Sequence, residues 1–155
     1  MRRSDREVTD FAEIVDILRR ADTMRVGLHA RPYPYVVPLS FGFEILDGRI
    51  ILYFHGAADG FKHDMIRENP FVCVETDIFH RYAKTPTSIT AEYESFIGFG
   101  KAGRATGEEA VRGMALLLDH CGFSGYPYDR ADLDAVWMYR IELDSFSGKR
   151  RFVER

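Results

Sequence analysis

A lysine that follows a strand and a glycine-bounded turn is the clearest candidate for chemistry in this sequence. An apolar strand is predicted over Arg49–His55, a turn over Gly56–Gly60 and a helix over Phe61–Glu68. Lys62 falls in the first turn of that helix, where backbone N–H groups lack helical acceptors and the helix dipole is positive. These groups together are typical of a phosphate site. The same pattern also suits a plain connecting helix with Lys62 in solvent, and both interpretations stay open here.

His55 ends the predicted strand directly before this turn. An imidazole at the mouth of a pocket suits proton transfer near neutral pH, although a lone histidine also serves as a hydrogen-bonded structural residue. We therefore take His55 as the candidate catalytic residue. The His, Cys, Asp and Glu residues show no metal-ligand spacing, so no metal site is predicted. The sequence also lacks a Ser/His/Asp arrangement and a Walker loop.

Two further segments could contact a ligand through their backbones. Pro38 cannot donate a hydrogen bond within a sheet, which predicts an edge or bulged strand with free N–H and C=O groups nearby. Val37 and Leu39 would add apolar contacts there, while a merely kinked strand is the alternative. The small residues of Tyr93–Ala102 either permit close approach of another surface or only bend a strand.

The composition is that of an ordinary folded chain. Its 155 residues predict a single domain over residues 1–155, and 46% hydrophobic with 29% charged residues argues against disorder. A net charge of −3 without a long basic block makes nucleic acid an unsuitable main partner. No apolar run reaches the length of a membrane span and no signal peptide is recognisable, so we expect a cytoplasmic protein without a membrane partner. Cys73 and Cys121 belong to no paired motif.

Hydrophobic periodicity predicts helices over residues 10–21 and Glu108–His120. Strands are predicted over Met24–Ala30, Tyr35–Ile45, Arg49–His55, Phe71–Thr76, Tyr93–Ala105 and Val136–Phe146. Asp47-Gly48 predicts a tight hairpin, whereas residues 77–92 lack periodicity and predict a loop or ragged edge. Six strands joined largely by hairpins, with helices inserted between them, predict a mainly β fold. The expected architecture is a six-stranded antiparallel barrel with peripheral helices.

Taken together, these segments resemble the FMN-binding split barrels of the pyridoxamine 5′-phosphate oxidase-like superfamily, and especially its 5-nitroimidazole resistance (Nim-like) proteins. The motifs that carry the resemblance are Met1-Arg2-Arg3 with Asp5-Arg6-Glu7, Pro34–Gly42, Tyr53–Ala57, Gly60-Phe61-Lys62, Asn69–Cys73 and Tyr93–Ala102. The resemblance spans nearly the whole chain. The ordered set is specific, although each motif alone is not.

The resemblance implies FMN bound at the interface of a homodimer. Lys62 would neutralise the phosphate, helped by the turn residues His55, Gly56 and Ala57. The edge of the isoalloxazine would be lined by main-chain groups of Val37, Pro38, Leu39 and Ser40. The partner subunit would cover the ring with its Tyr93–Gly98 strand. The residues expected to contribute from that subunit are Ser95, Ile97 and Gly98, together with Trp137 or Arg140.

The family further implies an FMN-dependent oxidoreductase that reduces a small planar acceptor. Phe41, Tyr53 and Trp137 are the aromatic residues predicted to wall the planar ligand. Two departures from the family pattern bear on the substrate: no cysteine occurs within residues 80–92, and Gly56 stands where a serine is common. The alternative is a non-enzymatic module that stores or senses a flavin, a deazaflavin or haem. The absence of an obvious catalytic acid other than His55 favours that alternative.

Overall fold

The computed structural model describes residues 3–129, 131, 133 and 135–153, so Met1 and Arg2 of the N-terminal motif lie outside the described residues. Within these residues, a 3₁₀ turn at Ser4–Arg6 precedes eight strands and three α-helices. The strands are β1 Glu7–Val8, β2 Met24–Leu28, β3 Tyr35–Leu39, β4 Gly42–Leu46, β5 Arg49–Gly56, β6 Phe71–Lys84, β7 Ile89–Arg104 and β8 Trp137–Arg151. The helices are α1 Phe11–Arg20, α2 Phe61–Glu68 and α3 Gly107–His120.

All the strands pair antiparallel in one sheet, in the order β3-β2-β6-β7-β8-β5-β4, with β1 added beside β8. The end strands β3 and β4 are separated along the chain only by Ser40 and Phe41. Laid flat, the seven strands would put these ends about 29 Å apart. Three steps along the chain reach only about 11 Å. The sheet must therefore curl until its edges approach each other, and since no ladder joins β3 to β4 in the described chain, the barrel is split.

This architecture confirms the mainly β, antiparallel split barrel with peripheral helices, but not its six strands. The predicted strand over Tyr35–Ile45 is two strands, because the chain crosses from one sheet edge to the other at Ser40–Phe41. The predicted loop over residues 77–92 was wrong in most of its length: β6 continues to Lys84 and β7 begins at Ile89. The last strand also continues past Phe146 to Arg151, where it pairs with β1 and β7.

The local predictions for the first helix and the tight hairpin are confirmed. Asp10 caps α1, its side chain accepting a hydrogen bond from the Glu13 N–H at 2.9 Å. Asp47 and Gly48 join β4 to β5 with φ of 50° and 75°, the left-handed pair that a two-residue hairpin requires.

Helices cover the sheet on both faces and so decide which strand residues are buried. The apolar stripe of α1 packs into the main core, while α3 packs on the opposite face around Tyr53 and Met138. Alternation along each strand assigns its residues to one face or the other. No helix in the described part of the chain combines the length and apolar character needed to cross a bilayer.

Candidate functional site

The side chain of Lys62 lies across the end of β5, directly over Gly56. A Cβ atom placed on Gly56 would come within 2.6 Å of Lys62 Nζ and 3.0 Å of its Cε, closer than atoms can pack. The ammonium also lies 5.3 Å from the centre of the Phe54 ring. The glycine at position 56 is therefore what leaves room for the lysine, which gives a physical reason for the departure from the family pattern.

Lys62 is a partly buried cation without a counter-charge. Among the described residues, no carboxylate lies within ion-pair distance of its ammonium and no hydrogen bond satisfies it. Burial lowers the pKa of Lys62. Burial and then the nearby charge of Lys62 also lower the pKa of His55. An anion bound here would relieve both effects, so the site has an electrostatic preference for negative charge.

The start of α2 adds backbone donors next to this cation. Gly60 occupies the N-cap position with φ of 102°, and no side chain, Asp59 included, caps the helix. The first intrahelical bond runs from Asp64 N–H to Gly60 O, so the N–H groups of Phe61, Lys62 and His63 precede the helical ladder. Beside Lys62, these donors form the type of anion cradle that the sequence predicts.

Aromatic side chains wall the site on the side of β8. Tyr139 stacks on Phe54 with ring centres 5.0 Å apart and planes at 6°. The Tyr139 hydroxyl lies 3.1 Å from His63 Nδ1, and the His63 ring meets Trp137 edge to face at 4.6 Å. The Arg104 guanidinium lies 3.8 Å from the centre of the Trp137 ring. Burial raises the pKa of Tyr139, so its hydroxyl stays protonated near neutral pH.

Of the residues that surround Lys62 on this side, sequence reasoning identified Trp137 and missed His63, Arg104 and Tyr139. Tyr139 is only 2% exposed, so it supports the wall from inside the core and does not itself face a ligand. Tyr139 could have been identified from the sequence, because it lies two residues after Trp137 in the same strand and so on the same face. Nothing local signalled Arg104, whose position opposite Tyr139 depends on the β7–β8 register. Two other predicted wall residues, Phe41 and Tyr53, are fully buried at 0% exposure, so they cannot face a ligand and that prediction was wrong.

The β3 edge lies on the other side of α2. Tyr35 of β3 meets Phe61 edge to face, with ring centres 5.0 Å apart. Among the described strands, β3 pairs with β2 alone, so its other side carries backbone groups that no described strand satisfies. Pro38 lies within this edge strand, as its missing N–H requires. The four residues predicted to line the ring, Val37, Pro38, Leu39 and Ser40, are all exposed or partly buried.

Two groups of predicted site residues do not join Lys62 within this chain. Arg140 lies on the α3 side of β8, 2.9 Å from Glu109 and 3.0 Å from Glu142 in ion pairs. The β7 residues lie two strands away from β5. Ser95 and the 39% exposed Ile97 alternate with the inward-facing Gly98. Of the turn residues, Gly56 lies under Lys62 and Ala57 is exposed. His55 is also exposed, and strand alternation places it on the face of β5 opposite to Gly56.

Glycines on β7 form a motif that the sequence reasoning overlooked. Gly98, Gly100 and Gly103 have the G-x-G-x-x-G spacing. In dinucleotide-binding proteins that motif lies between a strand and a helix. Here all three glycines lie inside one antiparallel strand, so the spacing does not indicate a phosphate loop.

The chemical capacity of the site follows from these contacts. It joins one unpaired cation, free helix N–H groups, an aromatic wall and a strand edge with open backbone groups. Such a combination suits a ligand with a compact anion at one end and a planar, hydrogen-bonding body.

Comparison with known proteins agrees with this description. A family model described as pyridoxamine 5′-phosphate oxidase matches residues 10–150. A candidate 5-nitroimidazole antibiotic resistance protein from Bacteroides thetaiotaomicron has a similar structure, with a TM-score of 0.82 and 27% identity over 92% of this chain and 85% of that one. No curated protein matches the sequence.

Two more distant structures share the fold. A flavocytochrome from Azotobacter vinelandii is 18% identical with a TM-score of 0.79, covering 99% of this chain and 72% of its own. An FAD and haem binding protein from Mycobacterium smegmatis is 20% identical with a TM-score of 0.77, covering 96% of this chain and 74% of its own.

Proposed function

The chain belongs to the pyridoxamine 5′-phosphate oxidase family, and we propose that it is a flavin-dependent oxidoreductase that binds FMN, or the FMN part of a larger flavin, with the phosphate at Lys62. The observation that carries this proposal is the unpaired, partly buried Lys62 ammonium over Gly56 at the uncapped start of α2. A phosphate there supplies the missing counter-charge and accepts the helix N–H bonds. The names of two solved relatives, which mention FAD and a flavocytochrome, support a flavin as the ligand.

The residues present fit such a cofactor. The cradle over Gly56 takes the phosphate, and the free edge of β3 at Val37–Ser40 offers main-chain bonds to a planar ring. When bound, the flavin supplies the hydride or electron transfer, which the side chains of the protein cannot provide. The chain binds and orients the cofactor, and Trp137, held between His63 and Arg104, restricts water on one side.

His55 is the residue we propose to hold and deliver a proton. Burial and then the nearby charge of Lys62 lower the pKa of His55 while no anion is bound. A phosphate at Lys62 offsets that charge, so the exposed imidazole should take up and pass on a proton more readily when the cofactor is present. The acceptor would be a small planar molecule, with nitroimidazoles as one class to test. The location in the cytoplasm stays a prediction.

We also propose a homodimer with the flavin at the interface. Ile97 and Phe99 are 39% and 55% exposed on β7, and Ser95 lies on the same strand face. Apolar side chains on an uncovered sheet face are typical of a surface that another protein covers. Light scattering should report about twice the chain mass of 17.8 kDa, and a monomer with flavin bound would remove the interface from the proposal.

The decisive experiment is a cofactor titration of the full chain, followed by absorption, with Lys62→Ala as the test variant. We expect flavin binding that weakens by about 1–3 kcal/mol in Lys62→Ala, the size of a charge-assisted hydrogen bond. Lys84→Ala is the control, because Lys84 is an exposed lysine at the last position of β6, where none of the proposed site residues lies. Equal affinity of wild type and Lys62→Ala would remove Lys62 from the site.

The same preparation distinguishes the proposed enzyme from the binding module. Anaerobic NADH or NADPH should bleach the bound flavin if the protein is an oxidoreductase that uses a nicotinamide donor. A flavin that no reductant can reach would indicate storage, and a Soret band in place of flavin absorption would indicate a haem protein.

A further inference from the structure

One face of the sheet carries apolar side chains that the described helices leave exposed. On β7, Ile97 and Phe99 are 39% and 55% exposed, and Phe79 of β6, which pairs with Tyr93 of β7, is 54% exposed. Residues that pair across neighbouring strands point to the same side of a sheet. We call this side the open face, and it comprises alternate residues of Phe71–Phe79 on β6, Tyr93–Phe99 on β7 and Ser145–Arg151 on β8.

The negative charge of the open face lies on β6. Glu75 and Asp77 both form ion pairs with Arg25 of the neighbouring strand β2, at 3.1 and 2.7 Å. Two carboxylates therefore share one guanidinium, and all three side chains stay partly exposed to solvent. This side of the face keeps an excess of negative charge that another molecule can meet.

The positive charge lies on the other side of β7, on β8. Lys149 and Arg151 form no ion pair with any described residue, and the buried Nε of Arg151 has no hydrogen-bond acceptor. One carboxylate, that of Glu7, lies across from Lys149 on β1. Burial by itself would raise the pKa of Tyr93, yet Arg6 and Lys149 bring that pKa below its ordinary value, so the local potential is positive.

The register of the strands sets these opposite charges at the same height. Asp77 and Lys149 are both paired with Ser95, so they flank it in a single row across β6, β7 and β8. Because neighbouring strands lie about 4.8 Å apart, the backbones at Asp77 and Lys149 are about 10 Å apart. No ion pair joins the two side chains within the chain described here, so each is available to a second molecule.

A second copy of the chain can meet the open face in two aligned ways, because sheets that pack face to face keep their strand directions within about 30°. A two-fold axis across the strands sets β6 against β6 and brings the carboxylates of the two copies together. An axis along β7 instead sets β6 of one copy against β8 of the other. Asp77 then meets Lys149 of the partner subunit, and Phe79 meets Arg151 of the partner subunit. Only this second arrangement pairs opposite charges.

From this register we propose that the homodimer forms through the open face about a two-fold axis along β7, with an ion pair between Asp77 and the partner's Lys149 on each side of the axis. The inference rests on the homodimer proposed above and adds its axis and its contacts. Ile97 lies beside the axis and packs against its own copy, while the partner's Arg151 covers the Phe79 ring. Both Lys62 sites lie at the same end of the dimer, because this axis keeps the two β7 strands in the same direction.

Charge reversal in the full chain tests the axis, with dimer dissociation followed by sedimentation over a dilution series. Asp77→Lys and Lys149→Glu each set like charges together twice per dimer, so each should raise the dissociation constant by about a hundredfold or more. The double variant Asp77→Lys/Lys149→Glu restores opposite charges and should return the constant to within about tenfold of wild type.

Lys101→Glu is the matched control, because it reverses a charge on the same strand face. Lys101 lies about 20 Å along β7 from Ser95, where two strands that cross at 30° are already about 10 Å apart. We therefore expect Lys101→Glu to keep the wild-type dissociation constant. Equal weakening by Lys101→Glu and Lys149→Glu would overturn the inference.

Urea unfolding checks that each variant folds, and the neutral changes Asp77→Asn and Lys149→Gln replace any reversal that does not. In that cycle the two single changes should weaken the dimer by similar factors, and the double variant no more than either. A wild-type dimer that the single variants do not weaken, or that the double reversal does not restore, would overturn this axis and leave the homodimer standing. A monomeric wild type would overturn both.

Discussion

Replacing Gly56 by alanine tests whether the position of Lys62, rather than its charge alone, makes the phosphate site. The new Cβ would lie 2.6 Å from Lys62 Nζ, whereas ordinary contacts begin near 3.4 Å. The ammonium must therefore move. Since Nζ is the far end of a flexible side chain, it can move without disturbing the backbone of β5.

Gly56→Ala should change flavin affinity more than it changes the stability of the fold. The free energy of unfolding should change by less than about 1 kcal/mol, because the backbone need not adjust and alanine restricts the unfolded chain. The free energy of flavin binding should weaken by about 1–3 kcal/mol, roughly 5- to 150-fold in affinity, because the displaced lysine no longer makes its charge-assisted bond. Function would thus be lost without loss of fold.

Flavin fluorescence quenching gives the affinity, and urea unfolding of the same preparations gives the stability. Gly27→Ala is the control, since a Cβ there would meet its nearest atom, Cys73 O, at an ordinary 3.5 Å. If Gly56 acts only through Lys62, the double variant Gly56→Ala/Lys62→Ala should bind flavin no more weakly than Lys62→Ala alone. Unchanged affinity in Gly56→Ala, or full additivity in the double variant, would refute this reasoning.

Two further predictions concern stability. Burial acts to raise the pKa of Glu94, but Arg20, Arg150 and a neighbouring imidazole overcome it and lower that pKa to about 2, from an ordinary 4.5. Between these two pKa values the unfolded chain binds more protons than the folded one. The ionised Glu94 therefore contributes up to about 3 kcal/mol of stability, which is complete above pH 4.5 and should be lost as the pH falls towards 2. Urea unfolding of Glu94→Gln should lack this acid dependence. Gly42→Ala should destabilise the folded protein by about 1–3 kcal/mol or more, because the new Cβ would lie 2.4 Å from the backbone at Leu116–Leu117. Thermal unfolding measures this change, and an unchanged midpoint would contradict the packing of α3 on β4.

Residues 77–92, which were predicted as a loop or ragged edge, show where a local sequence pattern fails to predict a strand. Glu92 and Glu94 are 5% and 3% exposed, although buried carboxylates are rare. They are stabilised there by Arg81 on the neighbouring strand and by Arg20 of α1, which is 74 residues from Glu94. Arg20 is distant along the chain from Glu94, and Arg81 meets Glu92 only once the two strands pair. The segment therefore reads as polar and irregular, although it forms the closed end of the β6–β7 hairpin.

The sequence alone determined the features that depend on neighbouring residues. These are the helix α1, the tight Asp47–Gly48 turn, and the succession of strand, turn and helix that places Lys62 in the first turn of α2. The ordered motifs also determined the family, because they together span nearly the whole chain.

Only the tertiary structure decided what surrounds Lys62. Trp137 pairs with Gly56 across 81 positions of sequence, and Tyr139 reaches His63 across 76. Whether such residues meet depends on the order and register of the strands, since a one-residue slip would turn each side chain to the other face. The burial of Lys62 without a partner, which is the basis of the proposed function, results from the closing of the sheet and could not be read from local pattern.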